Sequence, residues 1–387
     1  MALVPDTLLM PMVPAVMSAT WRLRTPDAAS RLRSWLLLST LLGCCLLAKY
    51  TGIFVVLGAL LSLLAFHGVN LWRMRGAWLS AAIIVGMASP IVGWNVQHHW
   101  ASVVYQSSHA AGDQGWRLGV ALRAYALQLA LFGLLLPAGL IAQLRATRRP
   151  GAHTDIQALA AARVVGLTFG IPILVVFAAI AGRGSSLPHW TACGWVALIP
   201  LATAGVGRLR RGLVAGLAIW QAFLLVTILL LILTKGFGSE SGAAATSPAG
   251  VKSAGTHVNP VTDVVGWQAA AEHGEGLAEQ RRARGLVVLN WSLASRMAWY
   301  ARPMPVFVAP EHTDQFSLWF GALQPKDSMV VVDWSQMPLP VPIGPDGFAK
   351  CTPIGQLPTV ANGRQLAHFN YLYCEDWRSQ QAAAAPR

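Results

Sequence analysis

The chain has 387 residues, of which 55% are hydrophobic and only 12% are charged, and its formal net charge is +13. Soluble domains carry roughly 25% charged residues, so this composition argues against a water-soluble fold for the whole chain and is tolerated in a bilayer. The composition changes near residue 236. Residues 1–235 hold four carboxylates and no glutamate, whereas acidic residues become ordinary from Glu240 onward. The basic residues lie in short clusters between apolar runs, which excludes nucleic acid as the expected partner.

Apolar runs separated by arginine, glycine or proline predict eight membrane spans. In chain order they cover residues 5–20, 34–48, 52–69, 77–95, 118–142, 161–181, 190–206 and 212–234. Several are shorter than the ~20 residues of a straight span, and the pair flanking Ala48–Gly52 also fits a broken hairpin. The predicted fold class is a polytopic α-helical membrane protein of about eight spans, with a small C-terminal α/β soluble domain.

The arginines predict the orientation of these spans. Thirteen of them fall in alternate loops, namely Arg22, Arg24, Arg31, Arg33, Arg73, Arg75, Arg145, Arg148, Arg149, Arg163, Arg208, Arg210 and Arg211. The other loops hold Lys49, Arg117, Arg183 and Lys235, and Arg123 lies just inside a span. The positive-inside rule makes the arginine-rich side cytoplasmic. The N-terminus and the chain after Lys235 are then expected on the periplasmic or extracellular side.

The C-terminal third reads as a separate domain. Residues 1–235 are predicted to be transmembrane, 236–262 to be a linker rich in Gly, Ser, Ala and Thr, and 263–387 to be the outer α/β domain. Helical stretches at about 263–283 and 292–301 alternate with β-branched runs at Leu286–Leu289, Pro305–Val308 and Met329–Val332, which favours a partly parallel sheet. The tail is expected to close it with an antiparallel pair. In that tail, Cys351 and Cys374 form either a disulfide or two free thiols.

Two charged residues at the outer ends of spans are candidates for chemistry. Asp6 follows Pro5 at the start of the first span, where a carboxylate facing lipid would cost several kcal/mol. It is either a general base or an acidic residue that interacts with the helix dipole. Lys49 lies between two apolar runs, beside Tyr50. Its ammonium either binds the phosphate of a lipid-linked substrate or extends to the membrane surface.

Other polar residues gather in the same set of loops. His98, His99 and His109 raise the question of a divalent metal, but adjacent histidines on a helix point about 100° apart, so this signal is weak. Asp113 stands in a setting that also fits a plain turn. Arg183 suits phosphate binding, and Trp190, next to His189, suits stacking on a sugar or the interfacial aromatic belt.

Four stretches carry a family resemblance, in the same order along the chain. They are Pro5-Asp6 (with Val4 in place of Thr), Leu46–Thr51, Pro90–His98 and Leu187–Ala192; the C-terminal part adds Asn290-Trp291, Ala298–Tyr300 and Gln315–Trp319. Together they resemble a bacterial membrane glycosyltransferase of the GT-C type. The family is the dolichyl-phosphate-mannose protein mannosyltransferase-like family, which is similar to the lipid A aminoarabinose transferase.

The resemblance implies an inverting glycosyltransferase in the bacterial inner membrane. It would transfer a sugar from a polyprenyl-phosphate donor, at the outer face, to an acceptor hydroxyl or phosphate. By this likeness Asp6 is the active-site carboxylate. The donor phosphate and sugar would be bound by residues from Lys49, Tyr50, His98, Arg183, His189 and Trp190, with Gln97 and Asp113 as further candidates. No cofactor is expected beyond the donor substrate, and the partners are membrane lipid and that lipid-linked sugar.

The resemblance begins at the family's later Pro-Asp motif. The family's first spans, and the outer loop whose acidic residue usually acts as the principal base, have no counterpart before Asp6. This predicts an N-terminally truncated chain, a misassigned start, or a second chain that supplies the missing part. The alternative to an enzyme is a non-catalytic membrane scaffold or partner subunit that presents its outer domain.

Overall fold

The computed structural model describes residues 6–111, 115–146, 156–184, 187–233, 265–309, 315–361 and 363–378. The chain divides into two compact units, Met1–Leu225 and Val226–Arg387. The division falls inside a helix, and the predicted linker 236–262 lies outside the described residues.

The described part of the first unit is helical. Its helices are α1 Asp6–Arg22, α2 Pro26–Ser30, α3 Leu32–Ala48, α4 Gly52–His67, α5 Arg75–Gln97, α6 Ala101–Ala111, α7 Leu118–Phe132, α8 Leu135–Ala146, α9 Ile156–Ala181, α10 Ala192–Val206 and α11 Arg211–Leu233. Two short 3-10 helices cover Gly68–Arg73 and Pro188–Thr191. Every predicted span therefore overlaps a helix or, for residues 118–142, a pair of helices.

Four helical segments of the described chain are long and apolar enough to cross a membrane, namely Gly52–Arg73, Arg75–Gln97, Gln157–Ala181 and Arg211–Leu231. A fifth results if α7 and α8, bent by 92°, are one broken span. The bend follows Gly133, whose φ of 88° favours glycine. Helices α1, α3 and α10 have 17, 17 and 15 residues and fall short of the ~20 of a straight span. The structure thus supports a membrane protein, while eight spans stay a prediction.

Helix α1 lies at the centre of the first unit and packs against α3, α4, α9 and α10. Its buried face presents Leu9, Val13 and Val16 to a core that includes Trp35 of α3. Close helix approach depends on small residues, as expected between membrane helices. A Cβ added to Gly170 of α9 would come within 2.6 Å of Leu198 Cγ on α10.

A tight turn joins α3 to α4. Lys49 caps α3 in an extended conformation, and its carbonyl accepts a 2.8 Å hydrogen bond from the Gly52 N–H. A Cβ at Gly52 would overlap the carbonyl of Cys45, so glycine is needed for the chain to turn here. Residues 34–69 are therefore two helices with a break at Lys49–Thr51, which places Lys49 at a helix end.

The second unit contains a five-stranded mixed sheet. Its elements are α12 Trp267–Arg281, β1 Leu286–Val288, α13 Trp291–Tyr300, β2 Val306–Val308, α14 Gln315–Phe320, β3 Met329–Trp334, β4 Phe348–Ala361 and β5 Arg364–Trp377. The strand order is β2-β1-β3-β5-β4, with β1 parallel to β2 and β3, and β5 antiparallel to both neighbours. The small partly parallel sheet expected from the sequence is present, and α14 is an additional helix.

Two apolar layers stabilise this sheet. Alternate residues of β3 point to opposite faces: Val330 and Val332 pack with α12 and α13, whereas Met329 and Val331 pack with Phe348 and Trp377. Cys351 and Cys374, directly opposite each other on β4 and β5, form a disulfide. The disulfide crosslinks the two strands of the long β4–β5 hairpin.

Candidate active site

The first unit buries one ion pair between helix ends that are distant in sequence. Asp6, in the first turn of α1, is 1% exposed, and its Oδ2 accepts a 2.6 Å hydrogen bond from the Lys49 ammonium at the end of α3. The Lys49 side chain is 21% exposed. Two of its three N–H groups have no partner in the described part of the chain. The ammonium is held by a buried carboxylate and still has donors for another anion.

The second carboxylate oxygen of Asp6 is unusual. Oδ1 is buried and has no hydrogen-bond partner among the described residues. Buried carboxylate oxygens are nearly always paired, because an unpaired one retains the cost of leaving water. A donor or proton from a bound molecule would satisfy Oδ1, which makes this atom the most distinctive feature of the site.

The 3-10 helix Pro188–Thr191 brings a third predicted residue to the pair. His189 Nε2 lies 3.9 Å from Asp6 Oδ2, and the adjacent Trp190 ring packs against Phe177 at 5.6 Å. Gln128 of α7 holds this 3-10 helix in place. The Gln128 Oε1 accepts hydrogen bonds from Thr191 Oγ1 (2.8 Å) and Trp195 Nε1 (3.0 Å).

Tyr50, which follows Lys49, belongs to a closed ring of polar side chains. Ser102 donates its hydroxyl proton to Asn95 Oδ1 at 2.5 Å, so the 2.6 Å bond between Tyr50 and Ser102 is donated by Tyr50. Asn95, 2% exposed, in turn points its Nδ2 at the Tyr50 oxygen at 3.5 Å. In this structure the Tyr50 hydroxyl is used to hold the α3–α4 turn to the end of α5.

His98 lies at the end of α5. Its ring stacks on Trp94 with centroids 4.2 Å apart, and Nδ1 lies 2.8 Å from the Trp94 carbonyl oxygen. A carbonyl only accepts, so Nδ1 carries the proton. The next residues, His99 and Trp100, both have positive φ, 51° and 60°. Consecutive left-handed non-glycine residues are costly and concentrate at functional segments.

The remaining predicted residues in the described part of the chain lie at the ends of α5 and α9. Gln97 is exposed at the last position of α5, and Arg183 is exposed just beyond the end of α9. Asp113 lies outside the described residues. No group of three or more His, Cys, Asp or Glu side chains suited to a metal ion occurs within the described ranges.

Three residues that support the cluster were not predicted as site residues: Asn95, Ser102 and Gln128. The sequence does indicate a role for Gln128, since an amide in the middle of an apolar run is expected to face the interior of a helix bundle. Asn95 had a weaker one, as it stands in the Pro90–His98 stretch. Ser102 had none, because a serine near a helix start is ordinary.

The cluster combines a buried carboxylate, a partly exposed ammonium and a nearby imidazole at one end of the helical unit. An ammonium with free donors binds phosphate oxygens. A carboxylate oxygen without a partner accepts a proton or hydroxyl group. The arrangement can therefore hold an anionic leaving group while a neighbouring group loses its proton.

Residues 2–94 match the family model described as dolichyl-phosphate-mannose-protein mannosyltransferase. Less than a third of the chain is covered, but the matched segment contains Asp6, Lys49 and Tyr50. No curated protein and no solved structure matches the chain. The match supports a likeness to membrane glycosyltransferases of the GT-C type, independently of the site geometry.

Proposed function

We propose that this chain takes part in glycosyl transfer from a polyprenyl-phosphate sugar to an acceptor hydroxyl or phosphate at the outer face of a bacterial inner membrane. One observation carries the proposal: the buried Asp6–Lys49 pair lies inside the segment that matches a mannosyltransferase family. A likeness to the lipid A aminoarabinose transferase is part of the same proposal. The sugar and the acceptor are left open.

Lys49 is the proposed ligand of the donor phosphate. Two of its N–H groups have no partner among the described residues, and with its partial exposure this suits a phosphodiester that approaches from the membrane surface. Asp6 fixes the ammonium in place, so that its orientation is set before the donor arrives. His189, 3.9 Å from Asp6, and Arg183 are the proposed further contacts to the phosphate or sugar.

The proposed reaction inverts the anomeric carbon in one displacement. The acceptor oxygen forms a bond to that carbon while the bond from the carbon to the phosphate oxygen breaks. The bonding electron pair leaves with the phosphate, whose charge Lys49 stabilises. The acceptor proton passes to Asp6 Oδ1, the buried oxygen that has no partner in the described part of the chain. Tyr50 is assigned a positioning role because its hydroxyl donates to Ser102.

The disulfide supports an outward position for the second unit. Disulfides persist in oxidising compartments and are rare in the cytosol, and Cys351 and Cys374 are bonded. The arginine distribution independently favours an outward position for the chain beyond Lys235. The proposed location is therefore a multi-pass membrane protein with residues 263–387 on the periplasmic or extracellular side, after a transmembrane part of residues 1–235 and a linker.

Donor turnover in membranes tests the proposal. Membranes containing the full chain would be given polyprenyl-phosphate mannose or polyprenyl-phosphate aminoarabinose, and released polyprenyl phosphate would be measured. The Asp6→Asn variant should lower the rate by roughly 10²–10⁴-fold, the usual contribution of a general base. The matched control is Asp27→Asn, a carboxylate of α2 that is 75% exposed and lies beyond the far end of α1 from Asp6, which should keep the wild-type rate.

The outcomes separate the two functional classes. Unchanged turnover in Asp6→Asn would remove Asp6 from the mechanism. If the wild-type chain neither binds nor turns over either donor, with or without a co-expressed second chain, the enzyme proposal is overturned and the non-catalytic scaffold is favoured. Turnover that needs a co-expressed second chain would agree with a site completed by a partner.

A further inference from the structure

The opposite end of α1 contains a second charged feature. A cavity of about 430 Å³ is lined by residues from the last turn of α1, from α2, from the connections on either side of α2, and from the first two turns of α3. Its polar lining consists of Arg22, Arg24, Arg31, Arg33, Thr25 and Ser34. Helix α1 rises about 24 Å from Asp6 to Arg22 at 1.5 Å per residue, so this arginine cavity is separate from the Asp6–Lys49 site.

Two of the four arginines are held in place by the protein. The Arg24 guanidinium lies 3.4 Å from the centroid of the Trp21 ring and donates to the Trp21 carbonyl oxygen at 3.2 Å. Arg31 Nη2 contacts both carboxylate oxygens of Asp27, at 2.9 and 2.7 Å. These contacts orient two guanidinium groups before any ligand binds.

Within the described ranges, the other two arginines have no side-chain partner of this kind. Arg22 and Arg33 form no ion pair with a described carboxylate, and Asp27 neutralises one charge of the four. Like charges that converge on one cavity repel each other, and this cost is recovered when an anion binds between them. The positive-inside rule explains why arginines occur in this loop, but it does not require four of them to line one cavity.

The walls of the cavity add a second property. One side of the cavity is apolar and consists of Ala19, Ala28 and Leu37. Leu37 is 51% exposed, and some other leucines of α3 are exposed to a similar degree. A charged cavity that opens beside an apolar helix surface matches a ligand with an anionic head and a hydrocarbon tail. Basic pockets between membrane helices bind anionic lipid headgroups in this way.

We propose that the arginine cavity binds the phosphate of an anionic phospholipid headgroup, with an acyl chain along the exposed leucines of α3. Arg22 and Arg33 supply the charge that the phosphate neutralises, while Arg24 and Arg31 supply fixed donors. The hydroxyls of Thr25 and Ser34 complete the donor set. This site is independent of the sugar donor.

Lipid retention by the purified full chain tests the inference. The chain would be equilibrated with phosphatidylglycerol or phosphatidylcholine, and bound lipid would be counted by native mass spectrometry. Phosphatidylglycerol should bind in preference. The double variant Arg22→Gln/Arg33→Gln should weaken its binding roughly tenfold or more, because each basic residue near an anionic lipid contributes to the binding.

The matched control removes the same charge from the next basic loop. Arg73 and Arg75 are exposed and do not line the cavity, so Arg73→Gln/Arg75→Gln should retain phosphatidylglycerol. Equal loss in both double variants would reduce the effect to net charge and overturn the site. Equal retention of both lipids by the wild type would also overturn it. Inorganic phosphate that binds the lipid-free protein with the same arginine dependence would overturn the assignment to a lipid.

Discussion

The two units of this chain use polar groups in opposite ways. In the first unit, the buried polar residues near helix ends are linked to one another: Asp6 to Lys49, Asn95 to Ser102, and Gln128 to Thr191. Among the described residues of the second unit, the ion pairs, such as Arg284–Asp327, lie at least partly in solvent, and the core is mainly apolar, with a few buried polar residues such as Gln336.

This difference indicates where the functional groups of the chain lie. Side-chain networks that hold helix ends together without filling a core are expected to serve a site. A small sheet with an apolar core and a disulfide is expected to serve as a stable fold. Variants of the polar network in the first unit should therefore change ligand binding as well as stability, whereas variants of the second unit should change stability alone.

The largest expected effect follows removal of Lys49. Lys49→Gln leaves a carboxylate that is 1% exposed without its partner, and breaking a buried pair in this way costs about 3–5 kcal/mol. Asp6→Asn should cost less, because the Lys49 side chain is already 21% exposed and can reach water. Unfolding of the first unit in detergent, followed by hydrogen exchange of peptides from α1 and α3, measures both.

A double variant distinguishes the loss of the whole ion pair from the loss of one partner. Asp6→Asn/Lys49→Gln removes both charges and should recover most of the stability lost in Lys49→Gln, while donor binding stays lost. The control for the lysine change is Lys350→Gln, an exposed residue of β4, which should have no effect on either quantity. Equal destabilisation by the two single variants would contradict the asymmetry in burial.

The disulfide gives the next largest effect, in the other unit. Cys351→Ser/Cys374→Ser opens a bridge between residues 23 positions apart and should lower the stability of the second unit by about 2–4 kcal/mol. Hydrogen exchange of β4 and β5 peptides in the full chain measures this loss. Donor binding at Lys49 should not change. A reducing agent should weaken the wild-type protein and leave the variant unaffected; sensitivity of the variant would assign the effect to other cysteines.

The smallest expected effect concerns Asp333, at the end of β3. Burial raises the pKa of this carboxyl, although the hydrogen bond from Asn370 opposes the shift. The folded state then binds the proton more tightly than the unfolded state. The stability from Asp333 is therefore complete below the unfolded pKa and is lost as the pH rises through the folded pKa.

Asp333→Asn should remove the loss of stability that the ionisation of Asp333 causes as the pH rises. The second unit should gain less than about 1 kcal/mol at pH 7, and its stability should fall less between acidic and neutral pH. Chemical denaturation of the full chain at several pH values, read from exchange of β3 peptides, measures the change. Asp346→Asn, at an exposed position, should keep the wild-type pH dependence. A variant at Asp333 that is less stable at every pH would show that the carboxylate is needed in its charged form.

Much of the fold could be predicted from local patterns. Long apolar runs predict the helices of the first unit, and β-branched runs predict β1, β2 and β3 because these strands are buried and β1 pairs in parallel with the other two. The apolar run of residues 118–142 predicts one span and does not predict the 92° bend between α7 and α8, since a single glycine within an apolar run is a weak signal for a bend. Helix α14 has only six residues and too few turns to show a period.

The candidate site was less predictable. Asp6 and Lys49 were each proposed from their place at a span end, but their contact across 43 residues is not encoded in any local pattern. The ring of Tyr50, Asn95 and Ser102 depends on how α3, α5 and α6 meet. The family likeness pointed to the residues, and only the packing of the helices shows which of them touch.

The most direct test of the central claim is to locate the donor phosphate. A polyprenyl-phosphate sugar with a photoreactive group beside the phosphate would be crosslinked to the full chain, and the labelled peptides would be identified. If Lys49 binds the donor phosphate, the α3–α4 turn at Lys49 and the segment around His189 should be labelled, and both labels should be lost in Asp6→Asn/Lys49→Gln. Labelling confined to the arginine cavity, or unchanged in that double variant, would contradict it.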